Sequence, residues 1–86
     1  MRVRLTARAH REIEHIGEFL IERSPATARG FVAALDAVFS RLQTMPYHGR
    51  LTTKPTVRRV ILPRYPFKVF YRVVGDTIEV LSVFHT

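Results

Sequence analysis

The chain has 86 residues, a formal net charge of +7 and no cysteine. This length suits one small domain over residues 1–86, and the absence of thiols excludes disulfides, thiolate zinc sites and cysteine nucleophiles. No apolar run approaches the roughly 18 residues of a membrane span. The first residues carry charge where a secretory signal is apolar, so we expect a cytoplasmic protein.

The positive charge is concentrated in the second half of the chain. Residues 1–45 carry seven Arg against five acids, whereas residues 46–86 carry five Arg and two Lys against Asp76 and Glu79. A basic domain attracts an anionic partner, which can be nucleic acid, an acidic protein segment or anionic lipid.

The first half of the chain predicts a strand followed by two helices. Polar and apolar residues alternate over Arg2–Leu5, which indicates a short strand. Apolar residues then recur at helical spacing up to about Arg23, with Thr6 as the N-cap. Ser24-Pro25 begins a second helix that continues almost to Met45-Pro46. Because the connection is so short, the helices form an antiparallel hairpin whose apolar faces need a sheet to cover them.

The second half predicts a loop and three strands. The loop is Pro46–Pro55, which contains Gly49 and several hydroxyl side chains. Beyond it the hydrophobic period changes from 3.6 to 2, and Gly75-Asp76 indicates a hairpin turn. The predicted strands are Val57–Leu62, Phe67–Val74 and Thr77–His85. We therefore predict an α+β fold of order β-α-α-β-β-β, with a helical hairpin packed on a small antiparallel sheet.

Alternation within the strands places large apolar side chains on both faces of the sheet. In the middle strand Lys68, Phe70 and Arg72 share the face opposite Tyr71. In the last strand, strict alternation groups Thr77, Glu79, Leu81, Val83 and His85 against Ile78, Val80, Ser82 and Phe84. A mixed apolar and basic second face is typical of a surface that receives a partner. Alternatively, the loop over 46–55 buries Phe70 and Tyr71, and arginine stems cover the remaining apolar surface.

The search for catalytic motifs is mostly negative. There is no Gly-rich phosphate loop, HExxH or GxSxG, and the four His lack metal-site spacing, so we expect no metal and no cofactor. An RNA-cleaving site would need Arg or Lys to stabilise the phosphate and His or Tyr to transfer protons. Because Arg58 and Arg59 are adjacent in a strand, they should point to opposite faces and cannot form one cluster.

Six segments in a fixed order are similar to a known family. They are residues 9–16, 24–28, 42–50, 57–59, 70–73 and 78–81, the last leading into His85. The most specific are the Pro-x-x-Gly-Arg loop at 46–50 and the Phe-Tyr-Arg-Val strand at 70–73. Together they resemble the ParE branch of the ParE/RelE toxin superfamily, the toxin half of type II toxin–antitoxin pairs.

The resemblance implies a toxin that is neutralised by a cognate antitoxin in a hetero-oligomer. ParE-like members are associated with inhibition of DNA gyrase, whereas RelE-like members are ribosome-dependent mRNA endonucleases. Lys68 and Arg59 fall at or near basic positions of those endonucleases, but Ile61 and Thr86 stand where they carry further basic residues. The gyrase function is therefore favoured over RNA cleavage.

Two further alternatives remain open, a degenerate member that binds its antitoxin but poisons nothing, and a basic nucleic-acid-binding module. Binding to a membrane or directly to nucleic acid is not expected. The residues expected to contact the antitoxin or the target are Arg58, Arg59, Arg64, Lys68, Phe70, Arg72 and His85. A ribonuclease would instead use Arg59, Lys68, Tyr71 and His85.

Overall fold

Side-chain caps start both helices at the positions that the sequence predicts. The hydroxyls of Thr6 and Ser24 accept backbone N–H groups from their respective first turns at 3.1 and 3.3 Å. Only Ser24 separates α1 (Ala7–Arg23) from α2 (Pro25–Thr44). It closes the first helix with its backbone N–H and opens the second with its side chain, which is why the hairpin is so tight. Neither helix is long and apolar enough to span a membrane.

The strands form one five-stranded sheet in the computed structural model, which describes residues 1–86. Their order across the sheet is β1-β5-β4-β3-β2, and neighbours are antiparallel except β1, which is parallel to β5. The strand bounds are β1 Arg2–Leu5, β2 Arg50–Leu51, β3 Arg58–Ile61, β4 Phe67–Val74 and β5 Thr77–His85. The predicted α+β class and helical hairpin are confirmed.

Two features of the sheet differ from the sequence prediction. The first strand is parallel to its neighbour β5, to which the chain connects through both helices and the strands β2, β3 and β4. The stretch Pro46–Pro55, predicted to be a loop throughout, contains the two-residue strand β2, which pairs Arg50 with Arg59 and Leu51 with Arg58. A two-residue strand is too short to show alternation, so periodicity could not reveal it.

The core lies between the helices and one face of the sheet, which we call the inner face. Phe31, Leu35 and Leu42 of α2 are buried there with Val69 and Tyr71 of β4. Phe31 packs edge-to-face on Phe67 and Tyr65 with ring centroids 5.4 and 6.1 Å apart. These contacts hold the helical hairpin on the sheet and leave its other face, the outer face, uncovered by helices.

A bulge in β5 overturns the strict alternation expected for that strand. Tyr71 is opposite Val80 and Phe70 is opposite Ser82, so Leu81 is the extra residue. The bulge shifts the pattern by one, and Val80 and Val83 are both fully buried. The sequence grouping of β5 residues is therefore wrong beyond Val80: Phe84 lies on the outer face, opposite Lys68, and His85 lies on the inner face, opposite Phe67.

A buried carboxylate joins three strands on the outer face. Glu79 of β5 is only 7% exposed and forms ion pairs with Arg4 of β1 and Arg72 of β4. The Arg72 hydrogen bond, at 2.8 Å, and the nearby Arg4 charge lower the pKa of Glu79 from its ordinary value of 4.5, against the opposing effect of burial. The triad therefore fastens the parallel strand to the meander through charge as well as backbone pairing.

The loop before β2 is fastened to the inner face by one hydroxyl. The Tyr71 hydroxyl donates to the Pro46 carbonyl and accepts from the Gly49 N–H, both at 2.8 Å. Gly49 is buried beside the ring, and a Cβ atom there would stand 2.6 Å from the hydroxyl oxygen and 2.9 Å from the Arg59 carbonyl oxygen. Only glycine permits this close approach of the loop to the strand.

We expect Gly49→Ala to lower the free energy of unfolding by about 2 kcal/mol, since the added methyl group overlaps a buried ring and a backbone carbonyl. Gly17→Ala is the matched control. Nothing lies within 4 Å of a Cβ at Gly17, and removing a helical glycine should stabilise the protein by about 1 kcal/mol. Urea unfolding of both variants measures the difference, and equal effects would contradict the packing at Gly49.

We expect the ion pairs of Glu79 with Arg4 and Arg72 to make the free energy of unfolding depend on pH in the acidic range. Because the pKa of Glu79 is lower in the folded than in the unfolded chain, its ion pairs stabilise the fold above the unfolded pKa, near 4.5. That stabilisation is lost as the pH falls through the lower pKa of the folded chain. Glu79→Gln should be less stable than the native chain at pH 7 and should lose less on acidification to pH 3. Asp36→Asn is the control, because Asp36 is exposed and makes no ion pair.

Candidate functional site

The outer face carries a patch that combines cationic and apolar side chains from four strands. Strand register places Arg50, Arg59 and Phe70 in one row across β2, β3 and β4. The adjacent row, across β3, β4 and β5, is Ile61, Lys68 and Phe84. We call these six residues the outer-face patch. The half-apolar, half-basic second face predicted from strand alternation is therefore present.

The apolar members of the outer-face patch are accessible to a partner. Ile61 is 55% and Phe84 is 44% exposed, and Phe70 is partly exposed. The Phe70 and Phe84 rings stack with centroids 5.2 Å apart and an interplanar angle of 11°. The three cations Arg50, Arg59 and Lys68 have no ion-pair partner within the chain. An anionic group that binds there would meet charge that no internal acid neutralises.

Arg72, another predicted contact residue, serves a different purpose. It lies on the outer face with Lys68, as predicted, but its guanidinium is bound to Glu79 together with that of Arg4. The two arginines and one carboxylate leave one net positive charge at the edge of the patch. Arg72 is thus primarily a structural residue of the β4–β5 pair.

Tyr71 and Arg58 do not belong to the outer-face patch, because both side chains make contacts that hold the loop before β2. The Tyr71 side chain is fully buried on the inner face, and burial raises its pKa above the ordinary value of 10.0 despite the Gly49 hydrogen bond and the Arg58 charge. Arg58 donates to the carbonyls of Tyr47 and Gly49 at 3.1 and 2.8 Å. Both side chains hold the 46–49 loop in place. The alternative in which the 46–55 loop buries Phe70 and Tyr71 is therefore correct for Tyr71, whereas Phe70 stays partly exposed on the outer face.

The two remaining predicted residues, Arg64 and His85, lie apart from each other. Arg64 is exposed in the β3–β4 turn, in the left-handed backbone region with φ +70°, at the rim of a groove beside α2. His85 lies at the end of β5 on the inner face, with its ring edge-to-face on Phe67 at 5.6 Å. The seven predicted contact residues therefore do not form one site. Four lie on the outer face, one contacts the 46–49 loop, one lies in the β3–β4 turn and one lies at the end of β5.

Sequence reasoning did not assign Arg50, Ile61 or Phe84 to the site. Alternation alone groups Phe84 with the wrong face, because it does not reveal the bulge at Leu81. Arg50 belongs to the Pro-x-x-Gly-Arg segment, which the sequence identifies as a family motif but does not place in the sheet. The strand β2 supplies that position by bringing Arg50 directly opposite Arg59.

The chemistry that the outer-face patch offers is recognition by charge and apolar contact. No group of three or more His, Asp or Glu side chains is arranged to hold a metal ion. The patch itself contains no His, Asp or Glu, since its polar members are two arginines and one lysine. Arginine forks and a stacked aromatic pair suit a ligand with carboxylate or phosphate groups beside flat or apolar surface.

Two curated relatives named as toxins are similar in sequence along nearly the whole chain. Y4kP of Sinorhizobium fredii, a protein assigned as a toxin, is 31% identical over 84 residues, which is 98% of this chain and 86% of that protein. The toxin RelE1 of Caulobacter vibrioides is 28% identical in an alignment of 85 residues that covers 96% of this chain and 90% of RelE1.

Solved toxin–antitoxin structures share the fold. The chromosomal ParDE system of Pseudomonas aeruginosa contains a chain with a TM-score of 0.84 and 26% identity, covering 100% of this chain and 96% of that one. The intact Escherichia coli RelBE complex contains one with a TM-score of 0.71 and 17% identity, covering 99% and 95%. The family model for the ParE toxin of type II toxin–antitoxin systems matches residues 3–86. This chain belongs to the ParE toxin family and is a type II toxin of the ParE/RelE superfamily.

Proposed function

We propose that this toxin acts in the cytoplasm by binding and inhibiting DNA gyrase, and that a cognate antitoxin neutralises it in a hetero-oligomer. The observation that carries the proposal is the outer-face patch, with three cations unpaired within the chain and three apolar side chains on one face. Such a surface can contact a protein through both charge and apolar burial.

The placement of the four ribonuclease candidates supports binding over RNA cleavage. Arg59 and Lys68 lie on the outer face, whereas Tyr71 and His85 lie on the inner face. The Tyr71 hydroxyl is occupied by Pro46 and Gly49, and its raised pKa makes it a poorer proton donor at neutral pH. General acid–base catalysis needs proton-transfer groups within hydrogen-bonding reach of the substrate that the cations hold. These four residues do not provide that arrangement.

An antitoxin partner is supported by the structural neighbours, since the solved ParDE and RelBE structures come from toxin–antitoxin systems. Acidic side chains of such a partner would pair with the arginines of this chain that form no internal ion pair. The opposite charges of the two proteins would increase their association rate.

We expect the purified toxin to inhibit supercoiling of relaxed plasmid by gyrase and to increase the amount of cleaved plasmid, while mRNA in a coupled translation reaction stays intact. Gel electrophoresis of the plasmid and primer extension on the mRNA measure the two activities. Inhibition of translation with mRNA cut at ribosome-bound codons, and no effect on supercoiling, would contradict the gyrase proposal.

A second candidate function, ribosome-dependent mRNA cleavage, is favoured by one specific observation. The stacked Phe70 and Phe84 rings lie beside Lys68 and Arg59, and stacked aromatics next to cations also suit single-stranded RNA. The same primer-extension experiment distinguishes this candidate from gyrase inhibition.

We expect the outer-face patch to carry toxicity. The double variant Arg59→Ala/Lys68→Ala should reduce the growth defect on induced expression and weaken gyrase inhibition by about tenfold or more, because two unpaired charges of the contact surface are lost. Arg11→Ala/Arg29→Ala is the matched control, since it changes the net charge equally at exposed helix positions without ion pairs. Equal loss of activity in both variants would point to overall charge rather than the patch.

A further inference from the structure

A cavity of about 350 Å³ lies on the outer face, between the turn that joins β2 to β3 and the first turn of α1. Phe70 and Phe84 line it together with the half-buried Leu81. Because the two phenylalanine rings are stacked, they give the cavity an aromatic surface. Both rings also belong to the outer-face patch, so the cavity is continuous with that patch. We call it the Phe70 pocket.

The bulge in β5 supplies one wall of the Phe70 pocket. Leu81 is the residue that has no partner on β4, and it lines the pocket together with the next residue, Ser82. In a regular strand two consecutive side chains would point to opposite faces of the sheet. A bulge changes the direction of a side chain, and bulges are frequent beside functional sites. The bulge therefore gives the pocket an apolar wall at Leu81.

The opposite wall is the β2–β3 turn, whose backbone is held by hydrogen bonds of its own. The Thr52 hydroxyl accepts the Lys54 N–H at 3.2 Å and donates to the Val57 carbonyl at 3.0 Å. Thr56 has a φ of +64°, a left-handed conformation that a β-branched residue adopts only at a cost. Such strain persists where the surrounding contacts fix the backbone, and it is concentrated at binding sites. The turn thereby places Thr53 and Lys54 in the lining of the pocket.

Cations come to the Phe70 pocket from two different elements, and no acid lines it. Lys54 belongs to the turn and Arg8 to α1. Lys54 makes no ion pair, and Arg8 makes only a long one, at 3.6 Å, with Glu12. The other oxygen of that carboxylate accepts the Ser82 hydroxyl and the Val83 N–H. The pocket thus combines an aromatic lining with positive charge that attracts carboxylates.

The hydrogen bonds of the lining favour a phenyl-type ring over a nucleobase as the occupant. The hydroxyls of Thr52 and Ser82 are already bonded within the chain. A base in the pocket would leave donors and acceptors at its edge with few partners, and a buried polar group without a partner is costly. A phenyl ring carries no such groups and gains by packing against Phe70 and Phe84.

We propose that the Phe70 pocket receives one aromatic side chain of the target protein, flanked in that protein by carboxylates that pair with Arg8 and Lys54. The inference rests on the proposed inhibition of gyrase and adds the kind of surface element that the toxin recognises. Buried aromatic anchors carry much of the binding energy in protein interfaces. The volume of the pocket is near the lower limit of the roughly 300–1,000 Å³ typical of ligand sites, so it suits a single side chain.

The first test fills the pocket and leaves its aromatic rings and charges in place. Thr53→Trp introduces an indole ring at an exposed position of the turn, and Ser40→Trp is the matched control at an exposed position of α2 outside the pocket. Plasmid supercoiling assays measure the toxin concentration that halves gyrase activity. We expect that concentration to rise about tenfold or more for Thr53→Trp, because the indole and the aromatic anchor compete for one space. Ser40→Trp should inhibit as the native chain does.

A second set of variants tests the charge and decides the question if Thr53→Trp does not fold. Lys54→Glu should raise the half-inhibitory concentration about tenfold, because it places like charges together at the interface. Lys54→Arg should keep native inhibition, since it retains a cation for the carboxylate. Arg29→Glu is the control for net charge at an exposed position without an ion pair, and it should also act as the native chain does.

Native inhibition by a folded Thr53→Trp or by Lys54→Glu would overturn the pocket as the anchor site and leave the gyrase proposal standing. Equal loss in Ser40→Trp or Arg29→Glu would overturn it too. Pocket variants that lose mRNA cleavage instead of gyrase inhibition would show that the occupant is nucleic acid, against the proposal. If the native toxin does not inhibit gyrase, the proposed function fails and the pocket assignment fails with it.

Discussion

The Tyr71 hydroxyl is the contact on which the second half of the structure depends. It lies fully buried in the middle of β4 and still satisfies two backbone groups of the loop before β2. A buried hydroxyl without partners would be costly, so the loop must stay at this distance as long as the ring is packed in the core. Arg58 fixes the same loop through two carbonyls. The position of β2, and with it the pairing of Arg50 and Arg59, follows from this fastening.

The same packing explains why the basic residues of the second half have different roles. Residues on the inner face are drawn into the core or its edge, as Arg58 is, whereas those on the outer face meet no helix. On that face Glu79 neutralises part of the charge of Arg4 and Arg72, and no acid reaches Arg50, Arg59 or Lys68. Unpaired charge on a small domain increases its solubility but does not stabilise its fold. Because this charge lies beside exposed Phe84 and Ile61, we interpret the arrangement as a surface for partners.

The outer-face patch is broad and presents side chains alone, which suits a folded target. Arg50 and Arg59 belong to the patch and also line a pocket with His48, Val60 and Ile61. No acid lines that pocket, so the charge of both arginines is available to a partner.

Sequence by itself determined the helical hairpin, the three main strands, the mixed outer face around Phe70 and the opposite orientations of Arg58 and Arg59. These features follow from local rules, since caps and side-chain periodicity act within a few residues. Only the tertiary structure decided the bulge at Leu81, the short strand β2 and the burial of Tyr71. Each depends on which strands become neighbours and on how closely a loop approaches a ring. Such contacts join residues distant in the chain, and local periodicity carries no information about them.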